Sequence, residues 1–201
     1  MVSLGSTNQE TLANSGQRWI AVGLFLRSTS EIIMELATLK QYAKHKDGTY
    51  VSLNLSQASK ELLDNFVEMN LGLTERVDSN TYHITVIYSR TPVPTAENLL
   101  HMNNPLPVEA QVSGYEVFPT KNDGKCLVMR LDCPYATRLN TELTKQGATS
   151  DYDRYKPHLT IAYDMAQEVD INDLPLPRFT LEFDKLNVDA LDPQFTPENK
   201  T

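Results

Sequence analysis

The chain contains the same pattern twice. Each half has an Asp-Gly pair, an alternating apolar stretch, a helix-length segment and a second apolar stretch with His-x-Thr: KDGTYVSLNLS and YHITVIYS at 46–56 and 82–89, then NDGKCLVMRLD and PHLTIAYD at 122–132 and 157–164. From glycine to histidine is 35 positions in the first copy (Gly48 to His83) and 34 in the second (Gly124 to His158). The agreement indicates a duplicated strand-helix-strand unit.

Hydrophobic periodicity and turn residues predict the secondary structure of both copies and of the segments around them. Strands are expected over 49–56, 82–88, 108–118, 125–131, 158–163 and 179–188. Helices are expected over 57–71 and 134–146, with a short helix near 96–101 and a KNDG turn between the third and fourth strands. The main domain is therefore assigned to 47–192, with repeats at 47–100 and 122–190.

Residues 1–46 read as an N-terminal extension, and 193–201 as a polar tail. The first 17 residues are polar, and an apolar run, WIAVGLFL, follows them. Ser30 is the predicted N-cap of a helix whose apolar stripe should pack against the main body, and Trp19 is expected to anchor a core. The stripe consists of Ile32, Ile33, Leu36 and Leu39.

Composition limits the classes of partner. No apolar run approaches the roughly 20 residues that span a bilayer, and no secretory signal is evident, so we expect a cytoplasmic protein without a membrane partner. The net charge of −8 disfavours a long nucleic acid, which leaves a small nucleotide. The two cysteines, Cys126 and Cys133, are expected to be packing residues, and no metal-ligand spacing occurs. We therefore expect no metal and no cofactor.

The repeated His-x-Thr motif carries the predicted chemistry. Side chains at i and i+2 share a strand face, so His83 lies beside Thr85 and His158 beside Thr160. If the copies pack about a pseudo-two-fold axis, the pairs converge across one cleft. One imidazole can then take a proton from an attacking hydroxyl while the other protonates the leaving oxygen, and the threonine hydroxyls can donate to phosphate oxygens. The residues thus favour metal-independent phosphoryl transfer.

The two motifs resemble the signature of the 2H phosphoesterase superfamily. Within it, the stretches GTYVSLNLS, YHITVIYS, GYEVFP and KPHLTIAYD are similar to the phage anti-CBASS nucleases, which cleave the cyclic oligonucleotide messengers of bacterial immunity. The resemblance implies an α+β fold in which the duplicated units form two antiparallel sheets around a central groove. It also implies cleavage of a 3′,5′ phosphodiester, as in cyclic GMP-AMP, by the adjacent 2′-hydroxyl. Which histidine is the base and which the acid stays open.

Several residues are candidates for holding the substrate. Family members stack bases on aromatic side chains, which points to Tyr50, Tyr115 and Phe118 here, although packing of the sheets is the alternative. Lys156 could attract a phosphate or be a solvated residue at a strand end.

Other polar residues receive structural predictions. Tyr88 and Tyr163 stand five residues after each histidine, so an ideal strand would turn them to the opposite face. Glu182 could read a base edge, but surface exposure is the preferred interpretation. His45 and His101 lack a partner motif and are expected on the surface.

Three other functions remain open from the sequence. An RNA-processing relative would act on RNA ends or 2′,3′-cyclic phosphates. A nucleotide sponge would bind without cleaving, although it would not need a proton donor and acceptor. A purely structural protein would have no effect on nucleotides.

Overall fold

The described part of the computed structural model is α+β. It covers residues 28–44, 46–98, 105–119, 124–163, 165 and 169–192. The helices are α1 (Thr29–Lys44), α2 (Gln57–Asn70) and α3 (Pro134–Lys145), with a 3₁₀ turn at Ser79–Thr81. The strands are β1 (Thr49–Leu55), β2 (His83–Ser89), β3 (Val108–Pro119), β4 (Lys125–Asp132), β5 (His158–Ala162) and β6 (Leu181–Ala190).

The six strands form a closed ring in the order β1-β2-β5-β4-β3-β6, and every pairing is antiparallel. Strand β1 lies between β2 and β6, and β4 lies between β5 and β3. These two three-stranded halves meet at one register pair, Ile84 with Leu159, and at three pairs between β3 and β6. The predicted α+β fold of antiparallel strands is confirmed, and the two three-stranded halves join in one closed ring.

Helix α2 packs against β6, and α3 packs against β2 of the other half. Leu63 and Val67 of α2, four residues apart, and Leu139 and Leu143 of α3, also four apart, present apolar stripes to the strands. They belong to one hydrophobic cluster with strand residues of both halves: Leu53, Ile84, Met129 and Leu159. Because side chains alternate along a strand, the residues between these core positions line the opposite face.

Local chemistry fixes the ends of the elements. Ser56 caps α2 by accepting a hydrogen bond from the Ser59 amide, and Pro134 occupies the first turn of α3. Gly48, in the Asp-Gly turn before β1, has φ of 125°, and a Cβ there would come within 2.2 Å of the Ser89 carbonyl oxygen. Only glycine fits this position.

The N-cap of α1 is Ser28, and the prediction of Ser30 is wrong. The Ser28 hydroxyl accepts from the Glu31 amide at 3.2 Å, and the Glu31 carboxylate accepts from the Ser28 amide at 2.7 Å. This reciprocal capping box needs a glutamate three residues after the cap, which Ser28 has and Ser30 lacks. The predicted stripe residues of α1 (Ile32, Ile33, Leu36 and Leu39) are exposed.

The chain divides into two compact units, Met1–Lys40 and Gln41–Thr201. The predicted boundary after residue 46 stays a prediction. Trp19, His45, His101, the tail at 193–201 and most of the KNDG turn lie outside the described residues. The short helix expected near 96–101 is helical at 96–98, where its described part ends.

Cys126 and Cys133 are buried, as predicted for packing residues. No helix within the described ranges is long and apolar enough to cross a membrane.

Candidate active site

The two halves meet where β2 lies beside β5, and we call this junction the seam. It passes through the middle of both His-x-Thr motifs. Its one register pair joins Ile84, between His83 and Thr85, to Leu159, between His158 and Thr160. In an antiparallel pair, the residue after one partner lies opposite the residue before the other. Thr85 is therefore placed opposite His158, and Thr160 opposite His83, with all four on the face away from the core.

Both imidazoles are held in the same way. Nδ1 of His83 lies 2.6 Å from the Thr81 carbonyl oxygen, and Nδ1 of His158 lies 2.7 Å from the Lys156 carbonyl oxygen. A carbonyl only accepts, so each Nδ1 carries a proton and donates it. The remaining nitrogen, Nε2, is then the atom of each ring that can gain or lose a proton.

A tyrosine contacts the threonine hydroxyl of each motif. Tyr50 Oη lies 3.2 Å from Thr85 Oγ1, and Tyr163 forms a side-chain hydrogen bond with Thr160. Burial raises the pKa of the Tyr50 and Tyr163 phenols, so both stay protonated near neutral pH.

The two tyrosines that follow the motifs lie on the site face, and the prediction of the opposite face is wrong. Register shifts in both repeats leave one residue without a partner, Val86 in β2 and Ile161 in β5. Such a β-bulge resets the alternation, so Tyr88 pairs with Tyr50 and shares its face. The matching bulge brings Tyr163 back to Thr160.

Each bulged residue has its carbonyl satisfied from outside the ladder. The Asn140 side chain of α3 donates to the Val86 carbonyl at 2.8 Å, and the Val77 amide donates to the Ile161 carbonyl at 2.8 Å. Tyr155 also ties the repeats together, since its hydroxyl donates to the Thr85 carbonyl at 3.0 Å. These contacts fix the strand segments that present the histidines.

The predicted substrate-binding residues separate into two groups. The Tyr50 ring stands edge-on to His83 with centroids 6.3 Å apart, and Phe118 stands edge-on to His158 at 5.0 Å. Lys156 Nζ lies 5.9 Å from the centre of the Phe118 ring. Tyr115, in contrast, packs towards the core on the other face of β3, and its hydroxyl donates to the Pro175 carbonyl. The structure does not bring Tyr115 to this site.

Glu182 is half-buried and lies in β6 between the fully buried Leu181 and Phe183. Its amide donates to the Ser59 hydroxyl at 2.8 Å, which fixes the backbone there. Because side chains alternate along a strand, the Glu182 side chain lies on the face away from the core. The prediction of simple surface exposure is therefore incomplete, since the residue is half-buried.

The model of the anti-CBASS protein Acb1 family matches residues 47–198, about three quarters of the chain. The chain belongs to the Acb1 family of anti-CBASS proteins. It is 31% identical to Acb1 of Vibrio phage KVP40 over 119 residues, which cover 58% of this chain and 73% of that protein. It is 28% identical to Acb1 of Enterobacteria phage T4 over 140 residues, covering 69% and 87%.

Two solved structures share the fold of this Acb1-family chain. TT0787 of Thermus thermophilus superposes with a TM-score of 0.51 at 15% identity, covering 70% of this chain and 86% of that one. Escherichia coli LigT, solved with NADP+, gives a TM-score of 0.50 at 16% identity, covering 70% and 85%.

Charged residues of this Acb1-family site gather at His158. Glu116 lies 2.5 Å from Arg130 Nη1 and 2.7 Å from Lys156 Nζ, and the hydrogen bond from Lys156 is the largest cause that lowers the Glu116 pKa. Burial lowers the pKa of His158, and the positive charges of Arg130 and His83 act in the same direction. The Lys156 carbonyl and Glu116 oppose this change.

Among the described residues, no three His, Cys, Asp or Glu side chains are grouped so that they could hold a metal ion. The residues that sequence reasoning missed are Asn140, Tyr155, Glu116 and Arg130. Of these four, only Arg130 could have been singled out from the sequence, because it occupies the position of Asn54 when the two repeats are aligned.

Proposed function

We propose that this chain is a metal-independent phosphodiesterase that cleaves 3′,5′ bonds of small cyclic oligonucleotides such as cyclic GMP-AMP. The observation that carries the proposal is the crossed arrangement at the seam, where each histidine lies opposite the threonine of the other repeat. Two proton-exchanging Nε2 atoms and two hydroxyl donors then face one phosphodiester. Membership of a phage anti-CBASS family supports a cyclic nucleotide as the substrate.

The proposed reaction is an internal transesterification. One neutral imidazole takes the proton of the 2′-hydroxyl as the O2′–P bond forms. The protonated imidazole of the other repeat gives its proton to the 5′-oxygen as the P–O5′ bond breaks. The products are a 2′,3′-cyclic phosphate end and a free 5′-hydroxyl, and no external oxidant or nucleophile is consumed.

The threonine hydroxyls are proposed to stabilise the phosphorane-like transition state. A hydroxyl has one proton, which it can either donate to its neighbour or to the substrate. If Tyr50 donates to Thr85 Oγ1, the Thr85 proton remains available for a non-bridging phosphate oxygen. The same holds for Tyr163 and Thr160. The tyrosines would thus orient the donors before the charge develops.

Tyr50 and Phe118 are the proposed contacts for the bases. They stand beside different histidines, so a substrate whose scissile phosphate lies between the histidines has an aromatic side chain on each side. Stacking on an aromatic ring contributes about 1 to 3 kcal/mol per base and tolerates different bases. We propose Lys156 as a charge that attracts phosphate, and the cytoplasm of the infected host as the place of action.

The proposal is tested with purified protein in EDTA and three substrates: 3′,3′-cyclic GMP-AMP, a 2′,3′-cyclic mononucleotide and a short RNA. The expected product, a linear dinucleotide with a 2′,3′-cyclic phosphate end, has the same mass as the cyclic substrate, so it should be found by chromatographic separation followed by fragmentation in a mass spectrometer. Tyr152→Phe is the control variant because Tyr152 is 81% exposed, and it should keep full turnover.

The other outcomes separate the alternatives. Turnover of only the mononucleotide or RNA would move the chain to the RNA-processing members of the superfamily. Tight binding of the cyclic dinucleotide without turnover would make it a sponge. Dependence of cleavage on an added metal ion would contradict the metal-independent mechanism.

A further inference from the structure

Two basic side chains near His158 share one carboxylate. Arg130 Nη1 donates to one oxygen of Glu116 at 2.5 Å, and Lys156 Nζ donates to the other oxygen at 2.7 Å. One negative charge between two positive charges leaves a net positive charge. We call Arg130, Lys156 and Glu116 the basic cluster.

The basic cluster can still bind an anion. The side chains of Arg130 and Lys156 keep 28% and 41% of their surface exposed, so a ligand can reach both. A guanidinium has five N–H donors and an ammonium has three, whereas each side chain gives one hydrogen bond to Glu116. Cationic groups with further donors are the side chains that bind phosphate in proteins.

The strand order places the basic cluster outside the cleft between the histidines. In the ring, β2 with His83 is followed by β5 with His158, then by β4 and β3. Arg130 is the β4 partner of His158, and Glu116 lies on β3, one strand farther. Neighbouring strands are about 4.8 Å apart, so Glu116 lies about 10 Å along the sheet from β5. Because Glu116 binds the charged groups of Arg130 and Lys156, both are held on the side of β5 that is away from β2.

The Phe118 ring contacts both the catalytic histidine and the basic cluster. Its centroid lies 5.0 Å from that of the His158 ring and 5.9 Å from Lys156 Nζ. Phe118 follows Glu116 by two residues on β3, which puts the two side chains on the same face. Next to the imidazole the site therefore has an aromatic ring, and next to that ring it has two cations.

We propose that Arg130 and Lys156, held together by Glu116, bind the second, uncleaved phosphate of a cyclic oligonucleotide. This subsite rests on the phosphodiesterase function proposed above, in which the scissile phosphate lies between the two histidines. In a cyclic dinucleotide, one nucleoside separates the two phosphates. With the base of that nucleoside on Phe118, its other phosphate lies at the basic cluster.

The subsite selects nucleotides that have more than one phosphate. A 2′,3′-cyclic mononucleotide would fill the position between the histidines and would have no second phosphate for Arg130 and Lys156. Charge-assisted hydrogen bonds are about twice as strong as neutral ones, so the contact raises the affinity for a cyclic oligonucleotide alone. Arg130 and Lys156 are thus specificity-determining residues, and the proton transfers do not pass through them.

The first repeat offers a competing position for the second phosphate. Lys185 of β6 pairs with Asn54, the β1 partner of His83. Asp189 of β6, which pairs with Tyr50, has the opposite charge. Two cations around one carboxylate favour the basic cluster as the phosphate site, and Lys185 serves as the comparison residue in the test.

The test removes the charge of one phosphate from the substrate. In two analogues of 3′,3′-cyclic GMP-AMP, one phosphate or the other is an uncharged methylphosphonate, so only the remaining phosphodiester is cleaved. With the unsubstituted protein, kcat/KM for the analogue should fall by about 10- to 100-fold, mainly through KM, because a charge-assisted contact is lost. In the double variant Arg130→Gln/Lys156→Gln, this loss should shrink to within about threefold, as in a double-mutant cycle.

The control variants keep the charges of the basic cluster. Lys145→Gln removes a lysine from an exposed ion pair with Glu142 on α3, and Lys185→Gln removes the competing cation. Both should show the full loss with the analogue. Arg130→Lys should also show it, because lysine retains the charge. If the double variant does not fold, the exposed single variant Lys156→Gln should still reduce the loss by at least about threefold.

Each other pattern overturns the proposal. An unchanged loss in the folded double variant would show that the basic cluster does not bind the second phosphate. Disappearance of the loss in Lys185→Gln would place that phosphate beside the first repeat. Equal kcat/KM for the analogue and the natural substrate with the unsubstituted protein would show that the second charge is not recognised.

Binding measurements separate a failure of the subsite from a failure of the proposed function. If the unsubstituted protein does not cleave cyclic GMP-AMP, the proposed function fails. The Kd values of the same ligands, measured by isothermal titration calorimetry, then decide on the subsite. A Kd that rises with the methylphosphonate only while Arg130 and Lys156 are present supports it, and equal Kd values for both ligands overturn it.

Discussion

The first and second repeats hold their histidine and threonine in the same way and differ in the charged residues around them. Both have a histidine held at Nδ1 by the carbonyl two residues before it, a threonine contacted by a tyrosine, and a β-bulge directly after that threonine. Only the second places Arg130, Lys156 and Glu116 around its histidine. Duplication can thus supply a symmetric reaction site, and divergence of neighbouring residues can then change the charges around each histidine.

The largest expected effect tests whether the repeats form one site. His83→Ala and His158→Ala should each reduce turnover of the cyclic dinucleotide by about 10²- to 10⁴-fold, because each removes a proton-transfer group. The double variant should lose little beyond either single variant, since groups that act as a unit are not additive. Single-turnover cleavage rates check this. Losses that multiply in the double variant would indicate two independent sites.

The next largest effect compares the two hydroxyls. Thr85→Val and Thr160→Val remove a donor without changing side-chain shape, and each should lower kcat by about 10²- to 10³-fold. Thr141→Val on the exposed side of α3 is the control. A fall in kcat at only one of the two threonines would mean that only one repeat contacts the phosphate. That result would contradict the equivalence of the two repeats.

Asn140 tests a difference between the repeats, because its side chain holds the bulge at Val86, whereas a backbone amide holds the bulge at Ile161. Asn140→Leu leaves the Val86 carbonyl without its donor, and the free energy of unfolding should fall by about 1 to 3 kcal/mol. Denaturant unfolding measures it. Thr144→Ala, four residues along α3 and bonded only within that helix, is the control. An equal loss in the control would show that the helix, and not the bulge, is affected.

The smallest effect concerns the tyrosine hydroxyls. Tyr50→Phe and Tyr163→Phe each remove one hydrogen bond to a threonine, a change of about 0.5 to 1.5 kcal/mol, or roughly two- to tenfold in kcat. The KM for the cyclic dinucleotide should change mainly at Tyr50→Ala, where the ring is lost as well. If Tyr50→Phe changes KM as much as Tyr50→Ala does, the ring does not stack on a base.

Much of the fold can be predicted from the sequence, because hydrophobic periodicity and the spacing of motifs are properties of local segments of the chain. The helices α2 and α3 and all six strands begin and end within two residues of their expected bounds. Gly48 shows why the first Asp-Gly turn needs a glycine: its backbone conformation and its approach to Ser89 exclude a side chain. The face shared by His83 and Thr85 follows from strand alternation in the same way.

The rest depends on contacts that no local pattern contains. The bulges at Val86 and Ile161 change which face Tyr88 and Tyr163 occupy, and they are visible only in the register of neighbouring strands. Arg130 is 28 positions from His158 in sequence, and Glu116 is 42 positions away. They become neighbours only because β3, β4 and β5 pair with one another in the ring. Tyr115 looked like a base contact because it stands three residues before Phe118, but alternation puts it on the other face.

The dependence of kcat/KM on pH tests the central claim most directly, with the cyclic dinucleotide as substrate and EDTA present. The unsubstituted protein should give a bell-shaped profile, because one histidine must be neutral and the other protonated. The residual activities of His83→Ala and His158→Ala should each lose one limb, and the two variants should lose opposite limbs. If either variant keeps both limbs, the two histidines are not the acid and base of this site.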